Sequence, residues 1–181
     1  MQAIIAACKN NELEAQVEIV VSDNSNAPGI NYAKQLGFNT LVLNPKDFDS
    51  KKIYETKIVQ ALAKANVDLI CLAGYMRLVG PTLLSAYEDK IINIHPSLLP
   101  SFKGLNPQQQ ALDCGVKYSG ATVHYVNEEL DSGAIIDQEI VNVKDTDTEQ
   151  DLSDRILKIE HKLYPRALKK VIQNIKQGVS Q

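Results

Sequence analysis

The sequence predicts a single α/β domain, with a Rossmann-like and mostly parallel sheet flanked by helices. Apolar runs rich in β-branched residues alternate with stretches of helical periodicity through the first half of the chain, a pattern typical of βαβ units. Several of these runs are apolar throughout, which indicates strands that are covered on both faces. The length of 181 residues corresponds to one domain, which we place at residues 1–181.

Eight secondary-structure elements are predicted in the first half of the chain. Pro28 suits the first turn of a helix and Gly37 suits a helix end. Ile53, Ile58 and Leu62 recur at helical spacing. In chain order we predict a helix at 1–10, a strand at 17–21, a helix at 28–36, a strand at 40–43, a helix at 50–65, a strand at 68–73, a helix at 81–87 and a strand at 90–94.

The second half of the chain predicts a different arrangement. Two strand-like runs, at 122–126 and 134–143, are joined by a polar segment, and we expect them to form an antiparallel pair at one side of the sheet. A final helix is predicted at 147–176, with Pro165 kinking or interrupting it. The helix at 1–10 has no strand in front of it, although a βαβ unit begins with one. We therefore expect a sheet that lacks its first strand.

The composition excludes several classes of protein. The net charge of −3 gives no basic footprint for nucleic acid or for an anionic membrane surface. No apolar run approaches the ~18 residues that a membrane span needs, and no basic and then apolar start marks a signal peptide. Cys8, Cys71 and Cys114 form no C-x-x-C motif, which argues against a disulfide framework or a zinc cluster and favours a cytoplasmic location.

Polar residues follow three predicted strands at the position where open α/β sheets bind ligands, beyond the carboxyl ends of the strands. Asn93 and His95 stand two residues apart in an extended segment, so their side chains project to the same face. Asp131 lies in the polar loop between the two late strands. Each has a structural alternative, since His95 fits a buried and hydrogen-bonded histidine and Asp131 fits a turn residue that bonds its own backbone.

Other polar residues are open to two interpretations as well. Arg77 follows the strand at 68–73 and fits either a ligand contact or the cap of a helix end. His124 fits either a core residue or a residue that supports the site. His161, beside Glu160, fits a solvated surface pair. The three histidines show no H-x-x-x-H spacing, so no metal site is predicted.

Three segments carry a resemblance to a known family: LICLAGYMRLV at 69–79, NIHPSLLPSFKG at 93–104 and GATVHYVNEELDSGAIIDQ at 120–138. Together they closely resemble the phosphoribosylglycinamide formyltransferases, and the likeness covers essentially the whole chain. Methionyl-tRNA formyltransferases share the SLLP stretch but carry an extra C-terminal domain. Formyltetrahydrofolate deformylases carry an additional N-terminal domain. The length of this chain favours the glycinamide enzymes.

The resemblance implies a reaction and a set of catalytic residues. A formyl group passes from 10-formyltetrahydrofolate, the co-substrate, to the amine of glycinamide ribonucleotide in purine biosynthesis, without a metal. Asn93 and a protonated His95 would stabilise the oxyanion that develops on the formyl oxygen. Asp131 would support the imidazolium and help to carry the proton of the amine. The implied partners are these small molecules, with the chain acting as a monomer or a homodimer.

The resemblance also implies two sets of binding residues. The formylfolate would be bound by Lys51, Met76, Arg77, Leu78, Val79 and Asn93. The ribonucleotide would be bound by Glu160 and Pro96. Lys51 stands where the family generally has an arginine, and a lysine keeps the charge but loses the planar fork.

The family opens with a strand and a Gly-Ser-Asn-type loop that holds the phosphate of the nucleotide, and this sequence starts at the helix after that loop. We therefore expect a formyltransferase domain that is truncated at its N-terminus. Either Met1 is an internal methionine of a longer chain or the protein is a degenerate relative. Two alternatives to the transferase follow from this: a formylfolate-binding relative with impaired or no transfer, and a formyltetrahydrofolate hydrolase.

Overall fold

The computed structural model describes residues 1–178 and confirms the α/β fold. Six helices and six strands alternate along these residues, with one short 3₁₀ turn at Pro45–Asp47. The elements are α1 (Gln2–Lys9), β1 (Val20–Ser22), α2 (Pro28–Gln35), β2 (Thr40–Val42), α3 (Lys51–Lys64), β3 (Ile70–Leu72), α4 (Pro81–Ala86), β4 (Ile91–His95), α5 (Pro107–Cys114), β5 (Tyr118–Tyr125), β6 (Ile135–Asn142) and α6 (Glu149–Gln177).

The strands form two hydrogen-bonded ladders. β1 pairs with β2 in parallel, and a second ladder has the order β3-β4-β5-β6. β3 and β4 are parallel, whereas β5 runs antiparallel to both β4 and β6. The predicted antiparallel pair of late strands is therefore confirmed, and β4 joins the parallel part of this ladder to the antiparallel part.

β4 is covered on both faces, as its apolar sequence predicts. Ile92 belongs to a core cluster formed with α1, α6 and the late strands, which includes Val123 and Leu163. Its neighbour Ile91 belongs to a second cluster, formed with α3 and α4, which includes Ile58 and Leu83. Because consecutive side chains of a strand point to opposite faces, these two isoleucines anchor β4 between two layers of helices.

Helix α6 differs from the prediction at Pro165. The helix runs without interruption from Glu149 to Gln177. Its start is fixed by a capping box, in which Thr148 and Asp151 bond each other's backbone N–H groups. The buried side chains around the proline, among them Leu163 and Leu168, pack in the first core cluster, and this burial outweighs the loss of one helical hydrogen bond.

Helix α5 was not predicted, and its signals are local. Asn106 adopts a left-handed conformation with φ of 53°, Pro107 occupies the first turn, and Gly115 ends the helix with φ of 70°.

The bounds of several strands also differ from those expected. β5 starts earlier than predicted, at Tyr118, while β3 is shortened to Ile70–Leu72. No helix within residues 1–178 has the length and apolar character that a bilayer crossing requires.

Two glycines allow backbone segments to approach closely around the late strands. A Cβ at Gly120, on β5, would overlap the main-chain oxygen of Glu139 on β6. A Cβ at Gly133 would overlap the main-chain oxygen of Tyr125, at the end of β5. Both positions therefore require the absence of a side chain.

Tyr164 connects α6 to the sheet. Its hydroxyl group donates to the carbonyl oxygen of Leu72 at 2.8 Å and lies 3.1 Å from the carbonyl oxygen of Ile92. Burial raises the pKa of this hydroxyl well above its usual range, so it stays protonated and remains a donor. The contact holds the helix against β3 and β4, close to the edge at which the polar segments follow the strands.

We expect Tyr164→Phe to lower the free energy of unfolding by about 1–2 kcal/mol, because two buried carbonyl groups lose their donor. Urea unfolding measures the change. Tyr118→Phe is the matched control, since that side chain is 57% exposed and its loss should leave the stability within about 0.5 kcal/mol. Equal stabilities of the two variants would contradict the role assigned to the Tyr164 hydroxyl.

Candidate active site

A buried carboxylate lies between two histidines at the carboxyl end of β4. Oδ2 of Asp131 is 3.4 Å from Nδ1 of His95, and Oδ1 is 3.8 Å from Nε2 of His124. The side chains are 9%, 7% and 3% exposed, in that order. Oδ2 also accepts a hydrogen bond from the backbone N–H of Gly104 at 2.9 Å. Because these side chains are buried, the carboxylate and its donors interact more strongly than they would in water.

Strand pairing and one unusual backbone conformation bring these groups together. Asn93 is paired with His124 across β4 and β5, and the two side chains meet at 3.3 Å between Nδ2 and Nε2. His95 follows on the same strand. Asp131 reaches them from the loop between β5 and β6, where its φ of 47° places it in the left-handed region, which aspartate tolerates better than most residues. The structure thus collects Asn93, His95 and Asp131 in one cluster.

The two imidazoles have different hydrogen-bonding environments. Nε2 of His95 lies 2.9 Å from the carbonyl oxygen of Phe102, while its Nδ1 faces Asp131. Both neighbours are acceptors, so an N–H on either ring nitrogen of His95 has a partner here. Nδ1 of His124 donates to the carbonyl oxygen of Tyr125 at 2.8 Å, which leaves its Nε2 as the acceptor for Asn93. Burial lowers the pKa of His124 against the opposing charge of Asp131, which favours the neutral ring.

Thr122 fixes the loop that follows His95. Its hydroxyl group donates to the carbonyl oxygen of Ser97 at 2.7 Å and accepts from the backbone N–H of Leu99 at 3.0 Å. Gln138 donates to the same hydroxyl oxygen at 2.9 Å. Pro96, one of the expected substrate residues, is half-buried in this loop. The loop therefore leaves β4 in a defined direction.

The residues expected to bind formylfolate lie in the loop after β3 and at the start of α3. A cavity of about 400 Å³ brings Lys51, Arg77 and Leu78 together with aromatic side chains of the same region. Arg77 pairs with Asp23 at 3.0 Å and does not act as a helix cap. Met76, which is 79% exposed, and Val79, which packs against the second core cluster, lie outside the lining of this cavity.

Glu160 lies on the face of α6 that carries Tyr164 one turn later. Burial raises the pKa of its carboxyl group to about 7, and the amino group of Met1 opposes this shift. Burial in turn lowers the pKa of that amino group, with Glu160 acting in the opposite direction. Glu160 is therefore a half-buried acid whose pKa lies well above its usual range.

The structure adds His124 to the cluster that the sequence singled out. Sequence reasoning left His124 open between a core residue and a supporting residue, because its position opposite Asn93 depends on the register of β4 and β5. The only local signal was its alternation with Thr122 on one strand. Within residues 1–178, no group of three His, Cys, Asp or Glu side chains is arranged to hold a metal ion.

We expect Glu160→Gln to raise the free energy of unfolding above that of the unaltered protein at pH 8 and not at pH 4. The pKa of the Glu160 carboxyl group is about 7 in the folded protein, against an ordinary value of 4.5. The protonated acid therefore contributes stability that is fully present below pH 4.5 and is lost as the pH rises through 7. The amide does not ionise, so the difference at pH 8 should reach roughly 1–3 kcal/mol.

Urea unfolding at the two pH values measures this difference. Glu88→Gln is the control, because that side chain is exposed after α4. A Glu160→Gln variant whose stability follows the unaltered protein at both pH values would contradict the pKa assigned to Glu160.

Comparisons with known proteins identify the family of this chain. Residues 1–168 match a sequence profile of the family described as formyl transferase. Over 171 residues, the chain is 42% identical to the phosphoribosylglycinamide formyltransferase of Bacillus subtilis, which covers 94% of this chain and 88% of that protein. It is 41% identical to the human trifunctional purine biosynthetic protein adenosine-3, where the match spans 94% of this chain and 17% of that longer protein.

Solved structures give the same result. The crystal structure of phosphoribosylglycinamide formyltransferase from Bacillus halodurans superposes with a TM-score of 0.94 at 43% identity, covering 99% of this chain and 93% of that one. Glycinamide ribonucleotide transformylase 1 from Geobacillus kaustophilus gives a TM-score of 0.91 at 45% identity, covering 94% and 90%. With the family profile matching most of its length and relatives this similar, the chain belongs to the formyl transferase family.

Proposed function

We propose that this protein transfers a formyl group from 10-formyltetrahydrofolate to the amine of glycinamide ribonucleotide, a step of purine biosynthesis. One observation carries the proposal: a buried carboxylate is shared by two imidazoles beside Asn93, at the ligand-binding edge of the sheet. The names of the relatives supply the substrates, since these relatives are phosphoribosylglycinamide formyltransferases.

The chemistry needs stabilisation of negative charge and movement of one proton. The amine attacks the formyl carbon, and the carbonyl electrons move to the formyl oxygen, which becomes an oxyanion. The amide of Asn93 and the imidazolium of His95 are the donors for that oxygen. The carbon–nitrogen bond to the folate then breaks, the carbonyl re-forms, and the proton lost by the amine goes to the departing folate nitrogen.

Asp131 and His124 prepare these donors. Asp131 faces His95 from the Nδ1 side, where a carboxylate favours the charged ring. We also assign to Asp131 the transfer of the proton that the amine loses. His124 accepts from the Asn93 side chain and so holds that amide in one orientation. The neutral ring of His124 suits this task, because a protonated Nε2 would face the Asn93 amide as a second donor.

The binding residues complete the proposal. Lys51, Met76, Arg77, Leu78 and Val79, with Asn93, are assigned to the formylfolate. Support comes from the cavity that collects Lys51, Arg77 and Leu78 beside the loop after β3. Glu160 and Pro96 are assigned to the ribonucleotide. Burial raises the pKa of the Glu160 carboxyl group to about 7.

We expect Asp131→Asn to lower kcat by about 10²–10³-fold, because the imidazolium of His95 loses its counter-charge. Asparagine tolerates the left-handed backbone at this position and retains an oxygen for the Gly104 N–H, so the fold should persist. Initial rates of formyl transfer at saturating concentrations of both substrates measure the effect. Asp145→Asn is the control, since that carboxylate is 85% exposed.

The cluster should also behave as one unit. The combined variant His95→Gln/Asp131→Asn should be little slower than the slower single variant, because removal of either residue disables the same donor. Unchanged transfer by Asp131→Asn would contradict the mechanism. Deformylation of the folate at the same rate with and without the ribonucleotide would contradict the transferase itself.

A further inference from the structure

Glu55 is a buried acid that the mechanism does not use. It lies on α3 and is 1% exposed, beside the apolar cluster that contains Ile58 and Leu83. An ionised carboxylate in such surroundings is strongly unfavourable unless hydrogen bonds and a counter-charge compensate for the lost water. Its partners therefore indicate why the acid is there.

The partners of Glu55 are the first backbone N–H groups of α4. Oε1 accepts from Gly80 N at 2.6 Å, and Oε2 lies 3.4 Å from Leu83 N as its acceptor. The residue at the start of α4 offers no side-chain cap of its own. Glu55 thus caps α4 from a different helix, and the partial positive charge of the exposed N–H groups favours its negative charge.

Gly80 permits this contact because it has no side chain. A Cβ at this position would lie 2.6 Å from Oε1 of Glu55 and 2.7 Å from Cε of Lys51. Nζ of Lys51 is 4.0 Å from Oε1, one helical turn before Glu55. The end of the loop after β3, the acid and the lysine are therefore in contact at one point.

That loop carries the residues assigned to the formyl donor. Its other polar anchor is the ion pair of Arg77 with Asp23, whose side chains are 49% and 40% exposed. Exposed pairs contribute little to stability, whereas a buried hydrogen bond to a charged acceptor is short and strong. Glu55 is therefore the main polar anchor of segment 74–80.

We propose that Glu55 is a positioning residue of the formyl-donor site, which sets the affinity for 10-formyltetrahydrofolate by fixing segment 74–80 and Lys51 without touching the ligand. This inference rests on the proposed function, since it takes the ligand from there. The reacting groups on β4 and in the loop after β5 make no hydrogen bond to Glu55 among the described residues. The effect should therefore appear in the binding of one substrate.

The test is Glu55→Gln, which keeps the shape of the side chain. The amide oxygen still accepts from Gly80, but the amide N–H₂ group then faces the Leu83 N–H donor, and the Lys51 ammonium group loses its counter-charge. We expect the Kd and the KM for 10-formyltetrahydrofolate to rise about tenfold, the loss that follows when a hydrogen bond to a charged group is weakened. kcat and the KM for the ribonucleotide should stay within about twofold. Glu88→Gln is the control with the same chemical change at an exposed site.

Gly80→Ala is an independent test of the same contact from its other partner. It should raise the same Kd and KM, and in both variants the backbone amides of segment 74–80 should exchange faster with deuterium. If Glu55→Gln does not fold, the Kd and the KM of Gly80→Ala for 10-formyltetrahydrofolate test the role of Glu55 alone.

The outcomes separate the inference from the proposed function. Unchanged affinity for 10-formyltetrahydrofolate in a folded variant, or a fall in kcat without a change in KM, overturns the role of Glu55. Binding of the folate without transfer by the unaltered protein overturns the proposed function, while the comparison of Kd values still decides on Glu55. No binding by the unaltered protein overturns both.

Discussion

The arrangement of the site depends on the need to compensate the buried carboxylate of Asp131. An isolated charge with this little exposure would not persist, so it needs donors or a positive charge beside it. Nδ1 of His95 faces it from β4, and the Gly104 N–H donates to it from the loop after β4. The left-handed backbone at Asp131 is the local cost of placing the carboxylate there. Burial lowers the pKa of His124, although the charge of Asp131 opposes that shift.

Much of the fold could be predicted because its signals are local. The helix at α3 follows from its apolar spacing and from Ser50, whose side chain caps its first turn. The burial of β4 on both faces follows from its uninterrupted apolar run. Pro165 gave a misleading signal, because a proline argues against a helix only where tertiary packing does not outweigh the lost hydrogen bond. The helix at α5 was missed because its apolar pattern is weak and its ends depend on left-handed residues.

The site shows the same division between local and long-range information. The shared direction of Asn93 and His95 is a property of one strand and could be read from their spacing. The contact of Asp131 with His95, the pairing of His124 with Asn93 and the cap that Glu55 provides for α4 all join distant segments. Such contacts depend on register and on loop direction, which no single segment encodes. The resemblance to a known family implied the contact of Asp131 with His95. The contacts of His124 and of Glu55 could be identified only from the structure.

The close approaches at Gly120 and Gly133 have a consequence for how related sequences are interpreted. Any side chain at either position would collide with a main-chain oxygen of the neighbouring strand or loop, whatever ligand the protein binds. The close approach of the antiparallel strands therefore requires glycine at both positions. A relative that had lost formyl transfer altogether, but kept this sheet, would still carry both glycines. A glycine at these two positions therefore reports the shape of the scaffold and carries no information about the reaction.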